Sequence, residues 1–190
     1  MMKLDEATAI KVANDKTIAN CLLPDPDPWD VTFLKGYVYK NNKVKGKIGE
    51  IYVERMMLYL GHLVAPATNK GHDRIINGIL TEIKFGAAHR NPKNKGTTMT
   101  DVFSFNHFSV SKDWQRAILV GMNIDCQPYV VWFFKDNFIN EVSKSNADRK
   151  YFNRQQAGKN GGNDDWLFMT DLKSWQEFMN EPWVRSISEW

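Results

Sequence analysis

An Asn-Gly pair at Asn77-Gly78, set between residues 73–76 and 79–85, constrains this chain more than any other feature. Both residues tolerate positive φ, which a two-residue hairpin turn needs, so the flanking segments are expected to fold back as antiparallel strands. Such a turn brings Asp73, at the entry of the first strand, beside Glu82-Ile83-Lys84, nine to eleven positions later at the exit of the second. Side chains alternate along a strand, so Leu80, Glu82 and Lys84 share one face and Thr81, Ile83 and Phe85 the other. Ile83 and Phe85 are expected to enter the core, and Glu82 and Lys84 to face a cleft. Two carboxylates brought together at neighbouring strand ends can hold a hard cation through oxygen, with Lys84 in reach of the water or phosphate that it orients. A Glu-x-Lys triplet alone more often marks a polar strand face, and Asp73 alone a turn. Their meeting at one end of the sheet is what points to phosphodiester chemistry.

The rest of the 190 residues is 43% hydrophobic and 25% charged, enough to build one ordinary core around that hairpin. Residues 4–23 carry Ala7, Ile10, Ala13, Ile18 and Leu22 at helical spacing, and the prolines of Pro24-Asp25-Pro26-Asp27-Pro28 end the helix. Residues 29–45 are ambiguous: Phe33, Tyr37 and Tyr39 suit a strand, Asn41-Asn42 a turn. Residues 46–60 read as a second helix with Ile48, Ile51, Tyr52, Met56, Tyr59 and Leu60 on its apolar side and Gly61 as its stop. Residues 62–67 read as a short strand, and 102–110 as a strand or a short element over the sheet. The continuous apolar runs 117–122 and 129–134 suit central strands covered on both faces. Residues 135–163 are polar and charged, 166–170 suit an edge strand, and 172–179 a last helix. Helices and strands mix without a regular repeat. The expected class is therefore α/β of the α+β type, a mixed central sheet flanked by helices. One domain would span 1–190, with an N-terminal helical segment at about 1–28 and a polar loop at about 143–163.

Cys21 and Cys126 have neither metal-ligand nor disulfide-framework spacing, which suits a reducing cytoplasm. Residues 1–16 lack an apolar signal core, and no apolar run is long enough to span a bilayer. The expectation is a cytoplasmic protein with no membrane partner.

Gly49-Glu50 lies on the helix read at 46–60. Glu50 by itself fits an acid favoured by the helix dipole. Gly49 lets other backbone approach closely, which favours Glu50 over Glu54, read as solvated or salt-bridged. His72 fits equally a group behind the ligands or a turn histidine. Gly49-Glu50 on a helix, then Asp73, then Glu82-Ile83-Lys84, resembles the PD-(D/E)xK nuclease superfamily, as seen in type II restriction endonucleases. Phe103-Ser104-Phe105-Asn106-His107-Phe108, with Trp114 and the strand at 117–121 after it, is similar to the segment beyond the catalytic strand in some restriction enzymes. The resemblance covers about residues 46–134 and rests on short motifs. It departs at His72, where the name-giving motif has Pro. It implies a restriction-endonuclease-like fold, dependence on Mg²⁺ with Mn²⁺ as a substitute, and hydrolysis of double-stranded DNA at a short specific sequence. On that resemblance Asp73, Glu82 and the Ile83 backbone carbonyl bind the metal, Glu50 supports a second metal or its water, and Lys84 orients the attacking water. A symmetric DNA site would be read by a homodimer.

His89, Arg90, Lys93 and Lys95 come within a dozen residues of Lys84. Most basic loops are merely solvated; beside a phosphodiesterase site these read as a clamp on the DNA backbone. Arg149, Lys150, Arg154, Gln155, Gln156 and Lys159 include the residue types that pair with base edges. Asn106 and His107 are the next candidates. Gly158, Gly161 and Gly162 suit a mobile connector just as well. The net charge of +3 permits a polyanion partner without requiring one. Two rival functions stay open: a structure-specific recombination or repair nuclease such as a Holliday junction resolvase, and a non-catalytic nucleic-acid-binding protein on the same fold.

Overall fold

The computed structural model describes residues 32, 34–88, 103–123, 125–154, 165–170 and 172–190. The helix expected at 4–23 lies outside the described residues, as do His89, Arg90, Lys93, Lys95, Gln155, Gln156 and Lys159. The chain divides into two compact units, Met1–Tyr39 and Lys40–Trp190. In the first, the described residues end in a short 3-10 turn at Tyr37–Tyr39, with Leu34 and Tyr37 buried.

The second unit begins with α1 (Asn42–Tyr59). The helix starts ahead of the expected boundary because Asn41, read as a turn residue, is its N-cap. The Asn41 side-chain oxygen accepts the Val44 N–H at 3.0 Å, satisfying one of the unpaired donors of the first turn. Its buried stripe is Gly49, Val53 and Met57. The expected apolar side is displaced from this stripe, and Ile51, Tyr59 and Leu60 are exposed. The strand beneath the helix, rather than the count of apolar residues, sets which stripe is covered.

Three strands come next: β1 (Val64–Pro66), β2 (Arg74–Ile76) and β3 (Ile79–Ala87). β2 and β3 form the expected hairpin, with Ile76 opposite Ile79. φ is 51° at Asn77 and 81° at Gly78, the doubly positive pair of a type I′ turn. Asn77 also ties the turn back to the end of the helix–strand connection, where its Oδ1 accepts the Leu63 N–H at 2.9 Å.

The remaining strands are β4 (Phe103–Ser109), β5 (Arg116–Met122), β6 (Pro128–Phe134), β7 (Phe152–Arg154), β8 (Asp165–Thr170) and β9 (Arg185–Ser186). Two further helices are α2 (Lys135–Val142) and α3 (Leu172–Met179). The larger sheet has six strands in the order β1-β2-β3-β5-β6-β9. β3 and β5 run parallel, and the other neighbours are antiparallel. The smaller sheet is β4-β8-β7. The fold is thus α+β, with a mixed six-stranded sheet and three helices among the described residues.

Two elements lie in the stretch read as wholly polar. α2 buries Phe138, Glu141 and Val142, but the polar residues between them conceal its period. β7 pairs with the far side of β8. β8 is therefore the middle strand of the smaller sheet, not the edge strand expected. α1 covers one face of β3, where Tyr52 and Phe85 meet at 5.8 Å between ring centres. β4 covers the other face, and behind it lies an aromatic core. Phe108, Phe138 and Phe152 pack there with ring centres 5.0–5.6 Å apart, and Phe168 lies 4.6 Å from Phe178. At the start of β5 the Arg116 guanidinium sits 4.6 Å from the Trp132 ring and 4.9 Å from both Phe134 and Trp190, which holds Trp190 against the sheet. No helix among the described residues is long and apolar enough to cross a membrane.

Candidate active site

The β2–β3 ladder ends at Arg74 opposite Thr81, and Asp73 continues it. Its N–H donates to the Thr81 carbonyl at 2.9 Å. Its side-chain Oδ2 accepts the Ile83 N–H at 2.7 Å. The Asp73 carboxylate therefore takes the place along β3 that the next strand residue would have held. A residue's N–H and C=O project to the same side of a strand, so the Ile83 carbonyl faces the edge that Asp73 occupies.

Glu82 and Lys84 project from the opposite face to Ile83. Lys84 Nζ lies 2.6 Å from Glu82 Oε1, and Lys112 Nζ lies 3.1 Å from the same oxygen. Glu82 is only 1% exposed. The open cleft expected at this position is closed over it, because the smaller sheet packs against this face of β3. Lys84 Nζ sits 5.5 Å from the centre of the Phe108 ring on β4. Glu82 Oε2 is buried and has no hydrogen-bond partner among the described residues.

Burial raises the Asp73 carboxyl above its ordinary value, and the Glu82 charge raises it further. The Ile83 N–H bond and the Lys84 charge oppose that shift, and Glu50 adds to it. The carboxyl thus feels all three of the other residues picked out from the sequence.

Asp73, Glu82 and the Ile83 carbonyl form an all-oxygen donor set of the kind a hard divalent cation takes. Glu82 Oε2 is the atom that speaks for it. A buried carboxylate oxygen with no donor is costly, and neither lysine reaches this one. Among the described residues no group of three or more His, Cys, Asp and Glu side chains could hold a metal ion. Two acids and a backbone carbonyl, Asp73, Glu82 and Ile83, are the groups that could hold one.

Gly49 does admit a close approach, but of the Phe85 side chain rather than of backbone. A Cβ there would lie 2.2 Å from Phe85 Cβ, so α1 can seat on β3 only with glycine at this point. That seating brings Glu50 to the Asp73 end of the hairpin. Glu50 is already engaged, however: its Oε2 lies 2.9 Å from Arg74 Nη1 and 3.0 Å from Lys47 Nζ. Glu54 is salt-bridged, 3.0 Å from Arg74 Nε.

His72 is 3% exposed. Its Nδ1 lies 3.2 Å from Asp113 Oδ1 and its Nε2 accepts the Thr68 N–H at 3.4 Å. Asn69 Nδ2 donates to Asp113 Oδ2 at 2.7 Å. His72 and Asn69 therefore fasten the loop that carries Lys112, and the Lys135 ammonium bonds the Lys112 carbonyl from the other side. The Asn69 bond, then the His72 bond, hold the Asp113 carboxyl below its ordinary value.

Sequence reasoning missed Lys112 and Arg74. Arg74 carried one signal: it is the residue after Asp73, and strand alternation turns it toward α1. Lys112 carried none, since it reaches Glu82 from thirty residues away.

Of the DNA-contact candidates, Asn106 and His107 are exposed. The register of β4 shifts between Phe105 and Phe108, and His107 has φ 61°. This bulge turns the pair outward while Phe108 returns to the core beneath Lys84. Arg149 is engaged inside the chain. Its Nη2 donates to the carbonyls of Val142 and Lys144 at 3.2 and 2.9 Å, its Nη1 to Asn146 Oδ1 at 3.0 Å. Its guanidinium also lies 4.6 Å from the Trp166 ring centre. Arg154 is exposed and reaches the same ring at 5.6 Å. Lys150 Nζ lies 3.1 Å from Glu181 Oε1.

Neither protein-family models nor curated protein sequences give a match to this chain. The resemblance to PD-(D/E)xK nucleases therefore rests on the short sequence motifs alone.

Proposed function

We propose that this protein is a Mg²⁺-dependent endonuclease that hydrolyses phosphodiester bonds in double-stranded DNA, on a restriction-endonuclease-like scaffold. The observation that carries the reading is Asp73 bonded to the Ile83 N–H between Glu82 and Lys84, its carboxyl feeling both charges, with Glu82 Oε2 buried and unpartnered among the described residues. Asp73, Glu82 and the Ile83 carbonyl would hold the cation. Mg²⁺, or Mn²⁺ in its place, supplies an acidified water and neutralises charge on the scissile phosphate. Lys84, held at the reacting end by Glu82, orients the attacking water and stabilises a non-bridging phosphate oxygen. Asp73 keeps its carboxylate fixed through the Ile83 N–H, so little reorganisation is needed as charge develops. On this reading the protein acts in the cytoplasm as a homodimer and cuts at a short specific sequence.

A structure-specific recombination or repair nuclease is the second reading. The internal bonds of Arg149 favour it, since they remove one of the side chains assigned to base edges. The test is cleavage of plasmid and of synthetic four-way junctions, with and without Mg²⁺. Discrete plasmid fragments that need Mg²⁺ support the first reading, and junction cleavage alone the second. If neither substrate is cut with Mg²⁺ or Mn²⁺, the nuclease reading fails and a non-catalytic DNA-binding protein replaces it.

A further inference from the structure

Resting on the nuclease reading, we infer that Arg74 takes the place of a second metal ion, so that the site works with one divalent cation. The acid that would serve a second ion is Glu50, on the face of α1 turned to the Asp73 end of the hairpin. Arg74 reaches that acid first. Its Nη1 lies 2.9 Å from Glu50 Oε2 and 2.6 Å from the Asp73 carbonyl oxygen, and its Nε lies 3.0 Å from Glu54 Oε2. Three acceptors on two elements thus fix one planar fork, a geometry that guanidinium fits and a single ammonium does not. Arg74 is 8% exposed, which leaves it little room to swing away.

The lysines on Glu82 are held differently. Both converge on one oxygen and leave the other bare. Lys112 is a third exposed along its side chain and sits on a flexible stem, so it can turn aside when a cation arrives. The two halves of the acidic cluster therefore differ. The half at Asp73 and Glu82 keeps one carboxylate oxygen without a donor among the described residues, and the half at Glu50 and Glu54 already holds a fixed positive charge. Arg74 also fastens α1 to β2, so the charge that replaces the ion positions the helix as well.

The test counts bound Mn²⁺ on the full-length chain without DNA, from the loss of the free-ion electron paramagnetic resonance signal. Wild type is expected to bind one ion per chain, and Asp73→Asn none. Arg74→Gln, which takes the guanidinium off Glu50 and Glu54 and leaves only the exposed Lys47 on Glu50, is expected to bind two. Glu50→Gln in an otherwise wild-type chain is expected to keep the first ion's affinity within about twofold. That variant keeps the idea testable if Arg74→Gln fails to fold. Two ions on wild type would overturn the inference and leave the nuclease reading standing. So would one ion on a folded Arg74→Gln, or a tenfold weaker first ion in Glu50→Gln. No Mn²⁺ bound by wild type would remove both.

Discussion

Glu82 carries two lysines on one carboxylate oxygen and nothing on the other. A buried ion pair would satisfy both oxygens, so the bare one is the feature on which the proposed cation site rests. Asp73→Ala and Glu82→Gln are expected to lower cleavage by about a hundredfold or more, while binding to DNA in Ca²⁺ stays within about tenfold. Gln is the better choice at position 82, because Ala would leave two lysines unpaired against a buried wall. Single-turnover cleavage and a binding titration check this, and wild-type rates in either variant would take the site out of consideration. Lys84→Ala should match the carboxylate variants, again about a hundredfold, with the fold intact. Lys112→Ala, at a lysine more exposed than Lys84, should cost about tenfold. Equal and negligible losses in both lysine variants would mark them as ordinary ion-pair partners. Asp73, Glu82 and Lys84 were legible in the sequence because a two-residue turn and a period of two fix their relation locally. Lys112 was not, because its arrival depends on how β4 and β5 pack, which no short-range pattern encodes.

The hairpin and α1 together make the frame on which these residues sit. Gly49→Ala puts a Cβ into the side chain of Phe85, and α1 must lift or Phe85 must turn. The expected loss is about 1–3 kcal/mol of folding stability, read by denaturant titration, together with a fall in activity as Glu50 and Arg74 separate. An unchanged midpoint would mean that α1 does not seat as described. The loop at Asp113 gives a pH prediction. Its carboxyl is held below the ordinary value by Asn69 and then His72. A depressed acid contributes stability above its unfolded pKa of about 4 and loses it as pH falls through the folded value. Asp113→Asn should therefore be less stable than wild type at neutral pH, and the gap should close below about pH 4. Thermal melts across that range test it, and a gap that stays constant would mean the Asp113 bonds do not contribute through its charge. At this scale the hairpin and α3 were legible, since turn chemistry and a clear apolar period mark them. The start of α1 was hidden because Asn41 serves a cap as readily as a turn. α2 and β7 were hidden because few apolar residues punctuate a charged stretch.

Across the whole molecule, the candidate DNA contacts fall into two groups that should respond differently to salt. Arg90, Lys93 and Lys95 come after β3 in sequence. Phosphate contacts carry no base information, so replacing any of them should weaken binding to all duplexes and lower the salt slope by about one per contact. Arg154 ends β7 and is exposed there, and Gln155 and Gln156 come directly after it. Replacing one of these should reduce discrimination between cognate and random DNA by about 1–3 kcal/mol, the worth of a paired base contact. Arg149 should belong to neither group. With its guanidinium bonded to Val142, Lys144 and Asn146, Arg149→Ala should lower stability and leave both binding measures nearly unchanged. The measurement is a competition titration with cognate and random duplexes over a salt series. If all six variants of the two groups weaken both duplexes equally, the segment after β7 is an electrostatic arm and the structure-specific reading gains. If Arg154, Gln155 and Gln156 affect neither duplex, base reading passes to Asn106 and His107. Those two stand exposed on the β4 bulge, beside the Phe108 ring that Lys84 overlies.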